Sequence, residues 1–196
     1  MIATPENSRY VPLTQQPFCC VPTCIQMVMY KNGIALLPAE EIGYYLGLVV
    51  SPADAHLFYK VRLSDTVPPA GYGTRISDPE FEPNAAFEKL KIPLSLSIKP
   101  ISEIGSADVL LKELQDVETG DGDTLLCFNQ GVLVDDPAKN WGHVCVFDRI
   151  EDGKIRIIDP SPGHPKWRTV EAAKMLESMQ KHGVQKSAGF WHITKK

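Results

Sequence analysis

The hydrophobic and polar positions follow a helical period in the first half of the chain. Apolar residues recur at the spacing of one helix face, and a turn residue closes most of the segments, which predicts four helices. These helices span residues 20–32, 38–46, 84–90 and 106–117. Residues 64–83 follow neither the helical nor the strand period, so a long loop is predicted there. Loops of that length in a compact domain tend to be functional.

The second half of the chain changes to short apolar or alternating runs that turn residues separate, which is typical of strands. The predicted strands span residues 124–129, 143–150, 154–159 and 189–193, with one helix over 170–181. Asp152-Gly153 lies between the second and third of these strands, so the two are predicted to form a hairpin. Helices followed by antiparallel strands predict an α+β fold.

Length and composition fit one globular domain. A chain of 196 residues with 43% hydrophobic content can bury a continuous core, so we expect residues 1–196 to form a single domain. The net charge is only −4 and the basic residues are dispersed, which predicts neither a nucleic-acid nor a membrane partner. No secretory signal and no membrane-spanning apolar run is evident, so a cytoplasmic location is expected.

Cys20 is the candidate nucleophile because it lies where the first predicted helix begins. Residues 15–24 read Gln-Gln-Pro-Phe-Cys-Cys-Val-Pro-Thr-Cys, and the amide groups of a helix N-terminus favour a thiolate. Cys19 remains an alternative nucleophile just outside the helix. The other three cysteines, Cys24, Cys127 and Cys145, are interpreted as packing residues. An odd number of cysteines in apolar surroundings favours free thiols over disulfides.

His143 and Asp159 are the candidate partners of that thiol. A thiolate nucleophile needs a base that can also protonate the leaving group, and an imidazole titrates near neutral pH. His143 begins a predicted strand, and Asp159 ends the next strand of the same hairpin. A hairpin brings those two ends side by side, so the carboxylate can hold the orientation and tautomer of the imidazole.

These motifs resemble a known family. A glutamine ahead of Cys-x-Pro-x-Cys at the start of a helix, followed later by Gly-His and Asp-Pro, is similar to the bacteriocin-leader-processing (double-glycine leader) cysteine peptidases of the papain-like superfamily. The resemblance covers roughly residues 10–50 and 140–162. It implies a papain-like fold, with N-terminal helices packed on a C-terminal antiparallel sheet. It also implies a peptide or small amide substrate, with no cofactor and no metal ion.

The resemblance assigns a role to four residues. Cys20 corresponds to the nucleophile, His143 to the base and Asp159 to the acid that orients the base. Gln15 corresponds to the side-chain amide that stabilises an oxyanion. The family has its glutamine six positions before the thiol rather than five, which leaves Gln16 as an alternative, and it has glycine where this chain has Val21.

Other functions remain open from the sequence. A looser resemblance to phytochelatin synthase, through Pro17 before Cys20 and Pro165-Lys166-Trp167 after Asp159, implies a transpeptidase that passes the acyl group to an amine. A non-catalytic papain-like binding module is a further alternative. A zinc-stabilised interaction domain is another, because Cys20 and Cys24 would share a helix face and His143 and Cys145 a strand face. The favoured prediction is cysteine-dependent hydrolysis of a peptide or amide bond.

Overall fold

A computed structural model describes residues 7–69 and 71–196 of the chain. Its first helix, α1 (Cys20–Lys31), begins at the candidate nucleophile and ends before Gly33, whose positive φ of +67° suits a helix stop. The second helix, α2 (Ala39–Tyr45), carries two acidic residues in its first turn, where they complement the helix dipole. Both predicted N-terminal helices are thereby confirmed.

A long connection follows α2. It contains two short parallel strands, β1 (Val49–Val50) and β2 (Arg62–Leu63), and leads to the helix α3 (Pro83–Lys89). The predicted loop over residues 64–83 is largely confirmed, apart from residue 70, which lies outside the described residues. The Arg75 guanidinium donates hydrogen bonds to three carbonyl groups of this loop and thereby orders it.

The rest of the chain forms the strands of the main sheet and the helices that cover it. They are β3 (Leu94–Pro100), α4 (Ala107–Thr119), β4 (Asp123–Asn129), α5 (Gln130–Leu133), β5 (Gly142–Glu151), β6 (Lys154–Ile158), β7 (Trp167–Val170), α6 (Ala172–His182) and β8 (Gly189–Lys195). Six strands form an antiparallel sheet in the order β3-β8-β4-β5-β6-β7. The predicted β5–β6 hairpin is confirmed, and both of its turn residues, Asp152 and Gly153, have the positive φ that tight hairpins need.

Two edge strands differ from the sequence-based prediction. β3 is not among the predicted strands, although its apolar residues alternate, because a proline stands at each end of that run. β7 has only four residues and three of them are partly or fully exposed, so it carries little hydrophobic period. Both segments become strands of the sheet by pairing with a neighbour, β3 with β8 and β7 with β6.

Helices cover both faces of the sheet rather than one. The first face packs against α1, α2 and α3 through residues such as Ile25 and Val28. The second face packs against α4 and α6 through Leu114 and Met179. Successive side chains of a strand point to opposite faces, so β5 contributes to both cores. β5 is therefore held on both sides, and its first residues have little freedom. In the described part of the chain no helix is both long and apolar enough to cross a membrane.

Gly189, at the start of β8, provides a test of the sheet's packing. Its φ is +136°, and a Cβ atom there would collide with the backbone of Lys99 and Ile101 on the neighbouring segment. We expect Gly189→Ala to lower the free energy of unfolding by about 3 kcal/mol or more, as measured by urea denaturation. The matched control is Gly153→Ala, where φ is also positive but the space around the Cβ position is open. There the expected loss is about 1 kcal/mol. Equal losses at the two sites would contradict this account.

Candidate active site

Cys20 is the first residue of α1, and its thiol is partly exposed whereas the other four cysteines are buried. The chain bends sharply just before it, because Phe18 has a φ of +63°, which is uncommon for a residue with a bulky side chain. Cys19 occupies the N-cap position without a side-chain capping bond. The thiol of Cys20 therefore lies at a helix N-terminus, where the helix dipole favours negative charge.

The first turns of α1 lie against the start of β5. The Sγ atom of Cys24 donates a hydrogen bond to the carbonyl oxygen of Val144 at 3.3 Å. Cys20 precedes Cys24 by about one helical turn, or roughly 5.4 Å along the axis. The thiol of Cys20 interacts with the imidazole of His143, the residue before Val144.

His143 and Asp159 meet across the open end of the β5–β6 hairpin. Val146 pairs with Ile158 in the register, so His143 and Asp159 lie on diagonal positions of one face. The Nε2 atom of His143 lies 2.7 Å from Oδ1 of Asp159. The Phe128 ring packs edge-on against the imidazole from β4. Asp159 engages Nε2, and the side chains of Cys145 and Cys20 also interact with the ring.

Asp159 is fully buried, yet every contact that it makes favours its ionised form. Oδ1 accepts hydrogen bonds from His143 and from the backbone N–H of Ser161, and Oδ2 accepts one from Arg168 Nη1 at 2.7 Å. Burial alone raises the pKa of Asp159, but the hydrogen bonds outweigh burial and hold that pKa well below its usual value. The carboxylate is therefore negatively charged at neutral pH.

The imidazole of His143 responds to the same surroundings. Burial favours the neutral ring and lowers the pKa of His143. Interactions with Cys145, Asp159 and Cys20 outweigh this effect, so the pKa stands well above its ordinary value. A protonated imidazole beside a thiol is the partner that a thiolate nucleophile needs.

Gln15 and Gln16 have different environments. The backbone N–H of Gln15 donates to the carbonyl of Pro160 at 2.9 Å, which places Gln15 beside the residue that follows Asp159. Among the described residues, its side-chain Oε1 is buried without a hydrogen-bond partner. Gln16 instead donates from Nε2 to the carbonyl of Leu57 at 3.3 Å. The side-chain amide of Gln16 is thus engaged by the connection after α2, while the backbone of Gln15 is bound just beyond the end of β6.

Cys19 belongs to a separate cluster. Its side chain is fully buried and packs with Leu48 and Val50. Burial is the main reason that the pKa of Cys19 is raised, to about 12, which leaves its thiol protonated at neutral pH. The two adjacent thiols therefore differ in exposure.

Two residues that lie in the site received no role in the thiol chemistry from the sequence analysis. Cys145 stands two positions after His143 on the same strand face, and it is buried beside the imidazole. Arg168 comes from β7, a strand that the hydrophobic pattern did not predict. The i, i+2 relation to His143 is the signal by which the sequence analysis placed Cys145 on the same strand face, although only as a zinc ligand in that alternative. For Arg168 the sequence carries no such signal.

His143, Cys145 and Asp159 place potential metal-ligand atoms within 4.8 Å of one another. All three residue types bind zinc in proteins. Asp159, however, already accepts three hydrogen bonds, and Arg168 supplies the positive charge that a metal ion would bring. Cys24 donates to a backbone carbonyl. These contacts favour a hydrogen-bonded thiol–imidazole–carboxylate site over a metal site.

No protein-family model matches the sequence, and no curated protein is significantly similar to it. The solved structures that resemble it include a crystal structure from Bacillus anthracis, of a protein provisionally described as a C39-like peptidase. The TM-score is 0.57 at 17% identity, and the match covers 95% of this chain and 96% of that chain. At this identity the likeness establishes the fold alone. The fold is papain-like α+β, which confirms the expected fold class.

Thiol accessibility gives a test that needs no substrate. In the native protein at pH 7, iodoacetamide is expected to modify Cys20 at least about tenfold faster than any other cysteine, because the other four thiols are buried and protonated. Peptide mass spectrometry after brief labelling measures the rates, and labelling in guanidinium chloride provides the fully exposed reference. Modification of Cys19 at a comparable rate would contradict the arrangement described above.

Asp159 can be tested with two substitutions. Asp159→Ala removes the partner of the imidazole and is expected to slow turnover, or alkylation of Cys20, by about one to four decades. Asp159→Asn keeps an oxygen for the ring N–H, so its effect on rate is expected to be milder. It leaves Arg168 without a counter-ion, and a lower melting temperature than that of the native protein is expected. Unchanged rates in both variants would show that Asp159 only ends a strand.

Proposed function

We propose that this protein is a papain-like cysteine hydrolase that cleaves a peptide or small amide bond. The observation that carries the proposal is the hydrogen-bonded pair of His143 and Asp159, against which α1 packs with Cys20 at its N-terminus. A buried, ionised carboxylate that holds an imidazole next to a partly exposed thiol is the arrangement that nucleophilic catalysis by cysteine requires. The peptidase-like fold of the structural neighbour supports the same conclusion.

The proposed reaction has two halves. The thiolate of Cys20 attacks the carbonyl carbon, and the carbonyl electrons move to oxygen, which becomes an oxyanion. The side-chain amide of Gln15 and backbone N–H groups at the start of α1 stabilise that charge. His143 then gives its proton to the departing amine as the C–N bond breaks, which leaves a thioester on Cys20. In the second half, His143 takes a proton from water, and the resulting attack releases the acid and restores the thiol.

Asp159 takes no proton in this scheme. It holds the His143 ring through Nε2 and stabilises the positive charge that the ring carries. The carboxylate can do so because its pKa is held far below neutral pH by its own hydrogen bonds. Its contribution is therefore made through geometry and charge.

Exposed apolar side chains near the site support a peptide substrate. Trp141, just before β5 and two residues from His143, is about half exposed at 53%. Leu57 is partly exposed at 43%, and its carbonyl is bound by Gln16. Apolar surface around a few polar groups is typical of ligand clefts. Five free thiols suit a reducing compartment, which supports a cytoplasmic location within this proposal.

Two cysteine substitutions test the proposed nucleophile. Incubation with a peptide library, followed by mass spectrometry of the products, measures activity of the native protein, Cys20→Ser and the matched control Cys19→Ser. We expect Cys20→Ser to lower turnover by a factor of about a thousand or more and Cys19→Ser to retain most of it. Trapping with a peptidyl vinyl sulfone should add one inhibitor mass, located at Cys20.

The same assay separates the alternatives. Products joined to an added amine, rather than hydrolysed acids, would indicate a transpeptidase. Peptide binding that is unchanged in Cys20→Ser, with no turnover by the native protein, would contradict the enzyme and indicate a binding module.

A further inference from the structure

Asp159 is held from both neighbouring strands. His143 approaches from β5 and binds Oδ1, whereas Arg168 approaches from β7 and binds Oδ2. Arg168 pairs with Ile157 in the register, so its side chain reaches Asp159 along the diagonal of one sheet face. The carboxylate thus bridges an imidazole and a guanidinium, each at 2.7 Å.

The contact with Arg168 constrains the carboxylate in two ways. A guanidinium is planar and rigid, so its bond to Oδ2 limits rotation of the carboxylate and fixes the direction in which Oδ1 faces the ring. Its positive charge also offsets part of the negative charge on Asp159, which otherwise acts on His143 alone. The Arg168 side chain is only 16% exposed and Asp159 is fully buried, so solvent screens this pair weakly.

We propose that Arg168 is a positioning residue of the active site, which orients the Asp159 carboxylate toward His143 and sets how strongly that carboxylate holds the protonated ring. The inference rests on the proposed thiol chemistry, because only there does the orientation of His143 matter. Arg168 does not contact the thiol in this scheme. It acts through Asp159.

The alternative is that the ion pair only stabilises the fold, and a second buried arginine–aspartate pair, away from the active site, serves as a control. Arg156 on β6 binds Asp148 on β5 at 2.7 Å, and both side chains are buried. Arg156 pairs with Arg149 toward the turn of the hairpin, whereas His143 and Asp159 lie at its open end. Each arginine–aspartate pair thus has its aspartate on β5 or directly after β6, and the two pairs differ in their distance from the active site.

The experiment compares Arg168→Gln, Arg168→Lys and the control Arg156→Gln. The main readout is the rate of Cys20 alkylation by iodoacetamide as a function of pH, which needs no substrate. The second is the melting temperature, and the third is turnover on a peptide from the library screen.

For Arg168→Gln we expect the pH at which His143 loses its proton to rise by about half a unit to one unit, because Asp159 is then less neutralised. Turnover should fall by about ten- to a hundredfold, as is usual when a residue that orients a catalytic group is lost. Arg168→Lys restores the charge but not the rigid planar contact. It should bring the pH profile back toward that of the native protein while turnover stays reduced. Arg156→Gln should lower the melting temperature and leave the pH profile unchanged.

The outcomes separate this inference from the proposed function. A pH profile of Arg168→Gln that matches the native one, with a melting temperature lowered as in Arg156→Gln, would overturn the positioning role. If Arg168→Gln does not fold, native turnover in Arg168→Lys would overturn it as well. If alkylation of Cys20 proves independent of pH around the titration of His143 and is unchanged in His143→Ala, the proposed function itself fails. If the rate of Cys20 alkylation depends on His143 but not on Arg168, the proposed function stands and only the positioning role of Arg168 is overturned.

Discussion

The packing of α1 against β5 is the contact on which the rest of the candidate site depends. Cys20 belongs to the helix, and His143 belongs to the strand, so the thiol and the imidazole become partners only when the two elements meet. Cys24 marks the contact through its hydrogen bond to Val144. Burial of the apolar face of α1 drives this packing, at about 25 cal/mol for each Å² of apolar surface removed from water. The reactivity of the Cys20 thiol therefore depends on a hydrophobic interface whose apolar residues take no part in the reaction.

The charges in the site are buried, and burial of charge is unfavourable unless each group is paired. Asp159 meets this condition through His143, Ser161 and Arg168. A carboxylate held in this way cannot rotate freely or exchange its partners with water, so the His143 ring keeps one orientation. The same saturation of Asp159 argues against a metal ion at the His143, Cys145 and Asp159 cluster, although the residue types suit zinc.

The position of β5 within the sheet explains why such a site can be rigid. Its residues are covered by α1 on one face and by α4 and α6 on the other, with β4 and β6 on its two sides. His143 therefore extends from a strand that has helices packed on both faces and a hydrogen-bonded strand along each edge. By contrast, the substrate side of the site in the proposed function is formed from connections, including the segment of Leu57 and the residues up to Trp141. In many enzymes a rigid scaffold holds the catalytic groups, and variable loops around that scaffold form the rest of the site.

The sequence determined those parts of the protein that depend on local pattern. Helical spacing and the Gly33 stop predicted α1, and Asp152-Gly153 predicted the β5–β6 hairpin, which the structure confirms. From that hairpin alone it followed that His143 and Asp159 would be neighbours. Tertiary structure decided the rest. β3 and β7 become strands because β8, far along the chain, and β6, the preceding strand, offer them hydrogen-bond partners, and a pattern of single residues does not record such pairing. Arg168 reaches Asp159, Cys145 lies beside the imidazole, and Cys19 turns toward Leu48 for the same reason: each contact is made between elements, and its residues become neighbours only when those elements pack.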